Sequence, residues 1–378
     1  MPERANLVAR IRGTGDGPSL ALLSHTDVVL ADAREWQHDP FAGDLADGHV
    51  WGRGALDMKG EVAASAVAMA TLAREGWRGS GDLVFVAAAD EEVGAGFGLQ
   101  WLVDAHPDAV RTDFSVNEGG GERVQLGGQT VYLCATAEKM SSPFLLRVLG
   151  RGGHAAMPGI ADNALVKAAP LIEKLGAYRP EPRLIPEVDA FFQALDESPD
   201  ASSALATAER IGPLAVELVE PLLSLTIAPT MAQASGKRNV IPAVCEVTVD
   251  VRLLPGQTPG EAEEVLRRAL GPGDYELVNM ERFGGTRSEI GGPLWAAVES
   301  FVAAEEPAAK PAPICVAGFT DSHWVRDAFG TVAYGFFPAK MDPELSSRLI
   351  HSHDERVPID DLELGVRWLL HAARTVCA

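Results

Sequence analysis

Cysteine is scarce in this chain, and the four present, Cys134, Cys245, Cys315 and Cys377, are scattered with no C-x-x-C spacing. That excludes a disulfide framework and a thiolate zinc site, and it leaves reduced cysteines, as expected of a cytoplasmic protein. Basic residues are also in short supply: 32 Lys and Arg face 53 Asp and Glu, a formal charge of −21. Nucleic acid and anionic membrane surfaces both require clustered cations, so neither is an expected partner. No apolar run approaches the ~18–20 residues that span a bilayer. The longest candidate, Val62–Ala73, is rich in alanine and broken by Ser65 and Thr71. The opening MPERANLVARIRG carries charges but no apolar stretch leading to a cleavage site, so no signal peptide is expected. No serine lies in G-x-S-x-G and there is no H-E-x-x-H, which sets aside serine-hydrolase and zincin chemistry.

What is present is ordinary globular material. The 378 residues are 47% hydrophobic and 22% charged, enough for two domains or one large one with a substantial core. Short β-rich runs at Leu20–Leu23, Leu83–Ala88 and Phe114–Val116 alternate with helical stretches, such as Glu61 to Ala73. This order predicts an α/β layered domain with a largely parallel sheet. The texture changes near Pro143: a strand at Leu145–Leu149, a turn at Gly150–Gly153, and a helix at Asn163–Leu175. A Pro- and acid-rich stretch follows (Arg179–Asp200), then polar–apolar alternation over Cys245–Leu254 and a helix at Gly260–Leu270. Together these predict a small α+β domain inserted into the larger one. Strands at Ile314–Ala317 and Val332–Phe336 and a helix at Asp360–Ala373 return to the first texture.

The chemically capable residues follow predicted strands. His25 and Asp27 (SHTDVV) come after Leu20–Leu23, Asp90, Glu91 and Glu92 after Leu83–Ala88, and Glu118 (NEGG) after Phe114–Asn117. Ligands of open α/β sheets bind outside the carboxyl ends of the strands, so these segments are expected to converge. His-x-Asp puts two side chains on one face of extended chain, where the imidazole can bind a metal and the carboxylate can fix its tautomer. A satisfied core histidine is the plainer alternative for His25. Asp57 lies in WGRGALDMKG, either as a ligand or as the N-cap of the helix that follows. Glu91 and Glu92 cannot both be buried and ionised without a cation nearby, although adjacent acids in a loop are often merely solvated. His351 and His353 in LIHSHDERV each could complete a metal site. The collected histidines and carboxylates form a mixed N/O field that suits zinc, manganese or cobalt. Two such cations would support hydrolysis by an activated water.

These segments, together with RGGHAAMPG, NVIPA, DVRLLPG and GFTDS, occur in an order similar to that of the di-zinc peptidase and amidohydrolase family of aminoacylase, acetylornithine deacetylase, succinyl-diaminopimelate desuccinylase and bacterial glutamate carboxypeptidase. The resemblance runs from about Asn6 to the last helix. It implies a phosphorylase/hydrolase-like α/β catalytic domain over 1–137 and 280–378, with a mixed, mostly parallel sheet flanked by helices. It also implies an inserted α+β, ferredoxin-like lid and dimerisation domain over 138–279, and hence a homodimer. By position, His25 would bind one zinc and His351 the other, Asp57 would bridge both, and Glu92 and Glu118 would complete the sites. Cobalt or manganese could replace zinc at such ligands. Glu91 would be the general base and acid, and Asp27 would orient His25. The Asp57–Met58 peptide is expected to be cis.

In the lid, His154 would reach the partner subunit's site to stabilise the oxyanion, where a turn histidine is the plainer alternative. Asn239 and Arg252 would touch substrate; Arg252 could clamp a carboxylate or be only a strand-edge charge. Thr320 and Asp321 would lie beside the site. The family's C-terminal histidine precedes an Asp-Glu pair by three residues, which fits His351 and leaves His353 as the alternative. Family members usually carry a helix and an edge strand before the His-x-Asp strand, so here either the start is truncated or the sheet is completed differently. The expected activity is metal-dependent hydrolysis of an amide beside a free carboxylate, in an N-acyl-amino acid or short peptide. The competing reading is a catalytically idle relative that binds peptide or dimerises.

Overall fold

The computed structural model describes residues 4–94 and 96–378. Its larger sheet runs in the order Leu7–Ile11, Leu83–Ala88, Leu20–His25, Phe114–Asn117, Val332–Gly335, Gln129–Glu138, Lys310–Val316, with Arg123–Leu126 paired to Gln129–Glu138. The central pairings are parallel, and Leu7–Ile11 closes one edge in antiparallel fashion.

Every residue of Leu20–His25 and Leu83–Ala88 is buried, as a strand covered on both faces requires. Alternate residues serve opposite cores. Leu20 and Leu22 pack with the helices Lys59–Arg74, Gly292–Glu305 and Ile359–Val376, around the fully buried Trp368. Ala21 and Leu23 pack instead with Leu99, Leu102 and Val325 on the other face.

A second sheet is antiparallel throughout, in the order Glu276–Asn279, Phe144–Leu149, Val244–Leu253, Met140–Ser141, Phe283–Gly284, with Thr226–Gln233 along the other side of Val244–Leu253. The alternation read from the sequence is real: Cys245, Val247, Val249, Val251 and Leu253 face inward. They meet Ala164, Ala168 and Leu175 of one helix and Ala262, Leu266 and Leu270 of another.

The stretch between these elements behaves differently. Ile185, Val188, Phe191, Phe192, Ala208 and Val219 pack on Val131, Leu133 and Ile314 of the larger sheet, not on the second one. Residues within 138–279 are therefore shared between two cores. Among the described residues, no helix is long and apolar enough to cross a membrane.

Candidate active site

Leu83–Ala88, Leu20–His25 and Phe114–Asn117 are adjacent and parallel, with His25 opposite Ala88. Their carboxyl ends therefore release the three acid-bearing segments side by side. His25 closes its strand at 1% exposure. Its Nδ1 lies 3.1 Å from the backbone carbonyl of Asp27 and 3.5 Å from the Asp27 carboxylate. Nδ1 thus faces both oxygens that Asp27 offers, while Nε2 faces Asp57 at 3.1 Å and Glu118 at 3.7 Å. The Asp27 carboxylate also accepts the N–H groups of Glu91 and Glu92, both at 3.1 Å, and so shapes the acidic loop.

Asp57 sits at the start of the helix Lys59–Arg74, but Met58 occupies the N-cap and no side chain caps this end. The Asp57 carboxylate points elsewhere: Oδ1 to His25 and Oδ2 to His351 Nε2 at 3.0 Å. The Asp57–Met58 peptide is cis. His351, in a left-handed turn at φ 59°, also lies 3.2 Å from Glu92 Oε2. Asp57 therefore stands between the two histidines. His353 is exposed and has Asp354, not the cluster, as its charged neighbour.

The electrostatics favour a cation. Burial pushes Glu91 up to about 9, helped by the charges of Glu118 and Asp321. Glu92 is raised by burial and then by Asp57. Burial alone would lower His25, but hydrogen bonds to Asp27, Asp57 and Glu118 outweigh it, and the net direction is upward. Asp27 is raised by burial and lowered more strongly by His25, ending below its ordinary value. Crowded carboxylates that must take up protons to coexist are the usual mark of a site built for positive charge. The ligand atoms of His25, Asp57 and Glu92, and those of His25, Glu91 and Glu118, lie within 4.8 Å of one another. Glu92 Oε1 is buried and has no hydrogen-bond partner. The residues present fit divalent ions with N/O ligands.

The cluster opens into a cleft of about 690 Å³ lined by Asp57, Glu91, Glu92, Glu118 and His351 on one side and by Ser141, Arg252, Phe283 and Thr320 on the other. Arg252 and Thr320 are thus brought to the site. Asp321 lies just behind it, at 3% exposure, pushed up to about 8 by burial against the opposing pull of His25. His154 and Asn239 are not brought there: they neighbour each other on an exposed ribbon where Gly153–His154 pairs with Val240–Ile241.

The structure adds residues that motif reading missed. Glu355, 0% exposed, accepts the N–H groups of Gly54, Leu56 and Asp57, and its position directly after the histidine motif was the available signal. Glu61 is buried and raised well above its ordinary value by burial and by Glu118, and Ser141, Glu281, Phe283 and Phe319 line the cleft. Gly121, directly after NEGG, permits the turn that follows: at φ +116°, a Cβ there would lie 2.0 Å from the Phe337 carbonyl oxygen.

Comparison with known proteins shows the family and the fold. The model of peptidase family M20/M25/M40 matches residues 21–375. A succinyl-diaminopimelate desuccinylase of Methylobacterium sp. (strain 4-46) is 29% identical over 380 residues, spanning 96% of this chain and 81% of that protein. In fold, the chain is similar to an M20 family metallo-carboxypeptidase from Sulfolobus solfataricus (TM-score 0.70, 17% identity, covering 98% of this chain and 88% of that one). It is likewise similar to human carnosine dipeptidase 1 (TM-score 0.67, 17% identity, 98% and 82% covered). The chain belongs to peptidase family M20/M25/M40 and is a metal-dependent hydrolase of amide or peptide bonds.

Proposed function

We propose that the protein hydrolyses the amide bond of an N-acyl-amino acid or short peptide beside a free carboxylate, using two divalent ions, zinc in the first place. The observation that carries this reading is the convergence of two histidines on opposite oxygens of Asp57, with Glu91 facing the same cleft as Arg252. His25 with Glu118 and His351 with Glu92 would hold the two ions, and Asp57 would bridge them. When bound, these ions supply Lewis acidity that polarises the scissile carbonyl and makes water a nucleophile near neutral pH.

The chain's own residues do the rest. The Glu91 carboxylate takes a proton from the attacking water and returns it to the leaving nitrogen. Asp27 holds the Glu91 and Glu92 N–H groups and, through its carbonyl, the His25 ring. Arg252 binds the substrate carboxylate as a planar cationic donor.

The second sheet has the β–α–β–β–α–β order of a ferredoxin-like unit, which supports its reading as a lid. Its edge strand Thr226–Gln233 and the exposed His154 ribbon suit pairing with a second copy, in which His154 and Asn239 would serve the partner's cleft. The test is Glu91→Ala: metal analysis should still find bound ions while turnover of N-acyl-amino acids drops at least a thousandfold. Retained activity would sink the mechanism.

A further inference from the structure

The wall of the cleft opposite the carboxylates has an order of its own. Arg252 pairs in register with Ser141, and Ser141 pairs with Phe283, across three neighbouring antiparallel strands. Directly opposed residues project to the same face, and all three line the cleft. Phe319, from the turn after Lys310–Val316, stacks on Phe283 with ring centroids 5.9 Å apart and planes inclined by 27°. Gly284 makes that approach possible, because a Cβ there would come within 2.7 Å of Phe319 Cβ. Trp324 backs Phe283 edge-on at 6.4 Å.

The turn that carries Phe319 is held from beneath. Glu138, 1% exposed, accepts the Thr320 N–H at 3.0 Å and its hydroxyl at 3.2 Å. Val316 extends the apolar surface. A stacked, backed and anchored pair of rings beside a polar site is preorganised for an apolar group.

Charge completes the pattern. Asp250 holds Arg252 through Nε and Nη2 at 3.0 and 3.2 Å, and among the described residues Nη1 has no hydrogen-bond partner. Outside the proposed metal ligands and Glu91, the charged side chains among the residues lining the cleft are Arg252 and Glu281. One substrate carboxylate has a partner in Arg252, and a second would find no further Lys or Arg among the lining residues, only Glu281. Two strand spacings, ~10 Å, separate Arg252 from Phe283, and both side chains reach inward to shorten that span.

We infer that the substrate's carboxylate-bearing residue has an aromatic or branched apolar side chain, seated against Phe283, Phe319 and Val316 while Arg252 holds the carboxylate. This rests on the amidohydrolase reading above and narrows it to N-acyl-phenylalanine or N-acyl-leucine chemistry and the matching dipeptides.

The metal-loaded enzyme is assayed on N-acetyl-L-phenylalanine, N-acetyl-L-leucine, N-acetylglycine, N-acetyl-L-aspartate and benzoylglycine. The first two are expected to exceed N-acetylglycine and N-acetyl-L-aspartate in kcat/KM by at least about tenfold, the discrimination an apolar pocket supplies. Preference for benzoylglycine over N-acetyl-L-phenylalanine would move the aromatic group to the acyl side and overturn the inference, as would equal turnover of N-acetyl-L-aspartate. Phe319→Ala should lower the phenylalanine-to-glycine ratio of kcat/KM at least fivefold, and an unchanged ratio counts against the wall. Should that variant misfold, calorimetry on the wild-type, metal-loaded protein decides: L-phenylalanine should bind at least fivefold tighter than L-aspartate, and equal affinities overturn the inference. If product binding shows this preference while no amide is hydrolysed with zinc, cobalt or manganese, the hydrolase reading fails and the side-chain pocket stands.

Discussion

Truncating Glu355 should damage the site more than its distance from the reacting atoms suggests. Both of its oxygens are used. Oε2 accepts Arg53 Nη1 at 2.5 Å and the Gly54 N–H at 2.8 Å, and Oε1 accepts the N–H groups of Leu56 and Asp57 at 2.8 and 3.1 Å. Glu355→Ala strands Arg53, which is only 3% exposed, and leaves three backbone donors around Asp57 without an acceptor. Removing one partner of a buried ion pair costs about 3–5 kcal/mol. Each buried N–H left dry adds about 1–3 kcal/mol, less where water enters the new space. Even where water reaches the vacated space, a net loss of at least about 4–6 kcal/mol follows, a large share of the ~5–15 kcal/mol of an ordinary domain. Glu355→Gln keeps the shape but turns an NH2 group toward donors, and about 2–3 kcal/mol is expected. Urea unfolding at constant m-value measures both losses. Because the same bonds fix the backbone at Asp57, metal affinity of the folded Gln variant should also fall at least tenfold. A Gln variant within about 0.5 kcal/mol of wild type, with unchanged metal affinity, would refute the reasoning.

Two further tests address the C-terminal ligand and the buried junction. His351→Ala should release one of two ions on dialysis, as read by elemental analysis, whereas His353→Ala should retain both; the reverse result would exchange their roles. Burial pushes Glu138 up to about 7, against the opposing effects of Arg326, Thr320 and Thr286. Its folded-state value lies above its ordinary 4.5, so between those pH values the native state holds more protons and stability falls as pH rises. That span corresponds to about 3 kcal/mol. Glu138→Gln, which mimics the protonated acid, should shrink the loss of stability between pH 5 and 8 by about 2–3 kcal/mol. An identical pH profile in the variant would show that Glu138 does not titrate there.

The parallel core and its strand-end acids were legible because strands buried on both faces leave unbroken apolar runs. Leu20–His25 and Leu83–Ala88 are such runs, and each delivers its acid at the end that sheet topology assigns to ligands. Placing His351 rather than His353 against Asp57 depended on counting back from the Asp-Glu pair. The packing of residues 185–223 was less legible for a specific reason. Ile185, Val188, Phe191, Phe192 and Leu195 form a helical stripe, but Pro180, Pro182, Pro186 and the neighbouring acids read as punctuation. The apolar wall was illegible in principle. Ser141, Arg252 and Phe283 become neighbours only through strand register, and register between distant strands is not written in any local pattern.

The junction between the sheets explains how a cleft drawn from both can be preformed. Glu138 ends a strand of the larger sheet and ties to Thr320 on the cleft floor. The next residue, Lys139, is 0% exposed and donates from Nζ to the carbonyls of Pro221 at 2.6 Å and Ser224 at 3.1 Å. Burial pulls that ammonium down to about 8, so its desolvation is offset by backbone acceptors rather than by a counter-ion. Two consecutive charged residues thus anchor opposite sides of the crossing point. One holds the turn carrying Phe319, and the other holds the segment that enters Thr226–Gln233. Met140 and Ser141 follow at once: Ser141 pairs with both Arg252 and Phe283, and Met140 with Leu253 and Gly284. The carboxylates that would bind metal and the wall that would select the side chain are therefore joined through a few residues of continuous chain in which Glu138, Lys139 and Ser141 are buried, which fixes their separation more tightly than a flexible linker could.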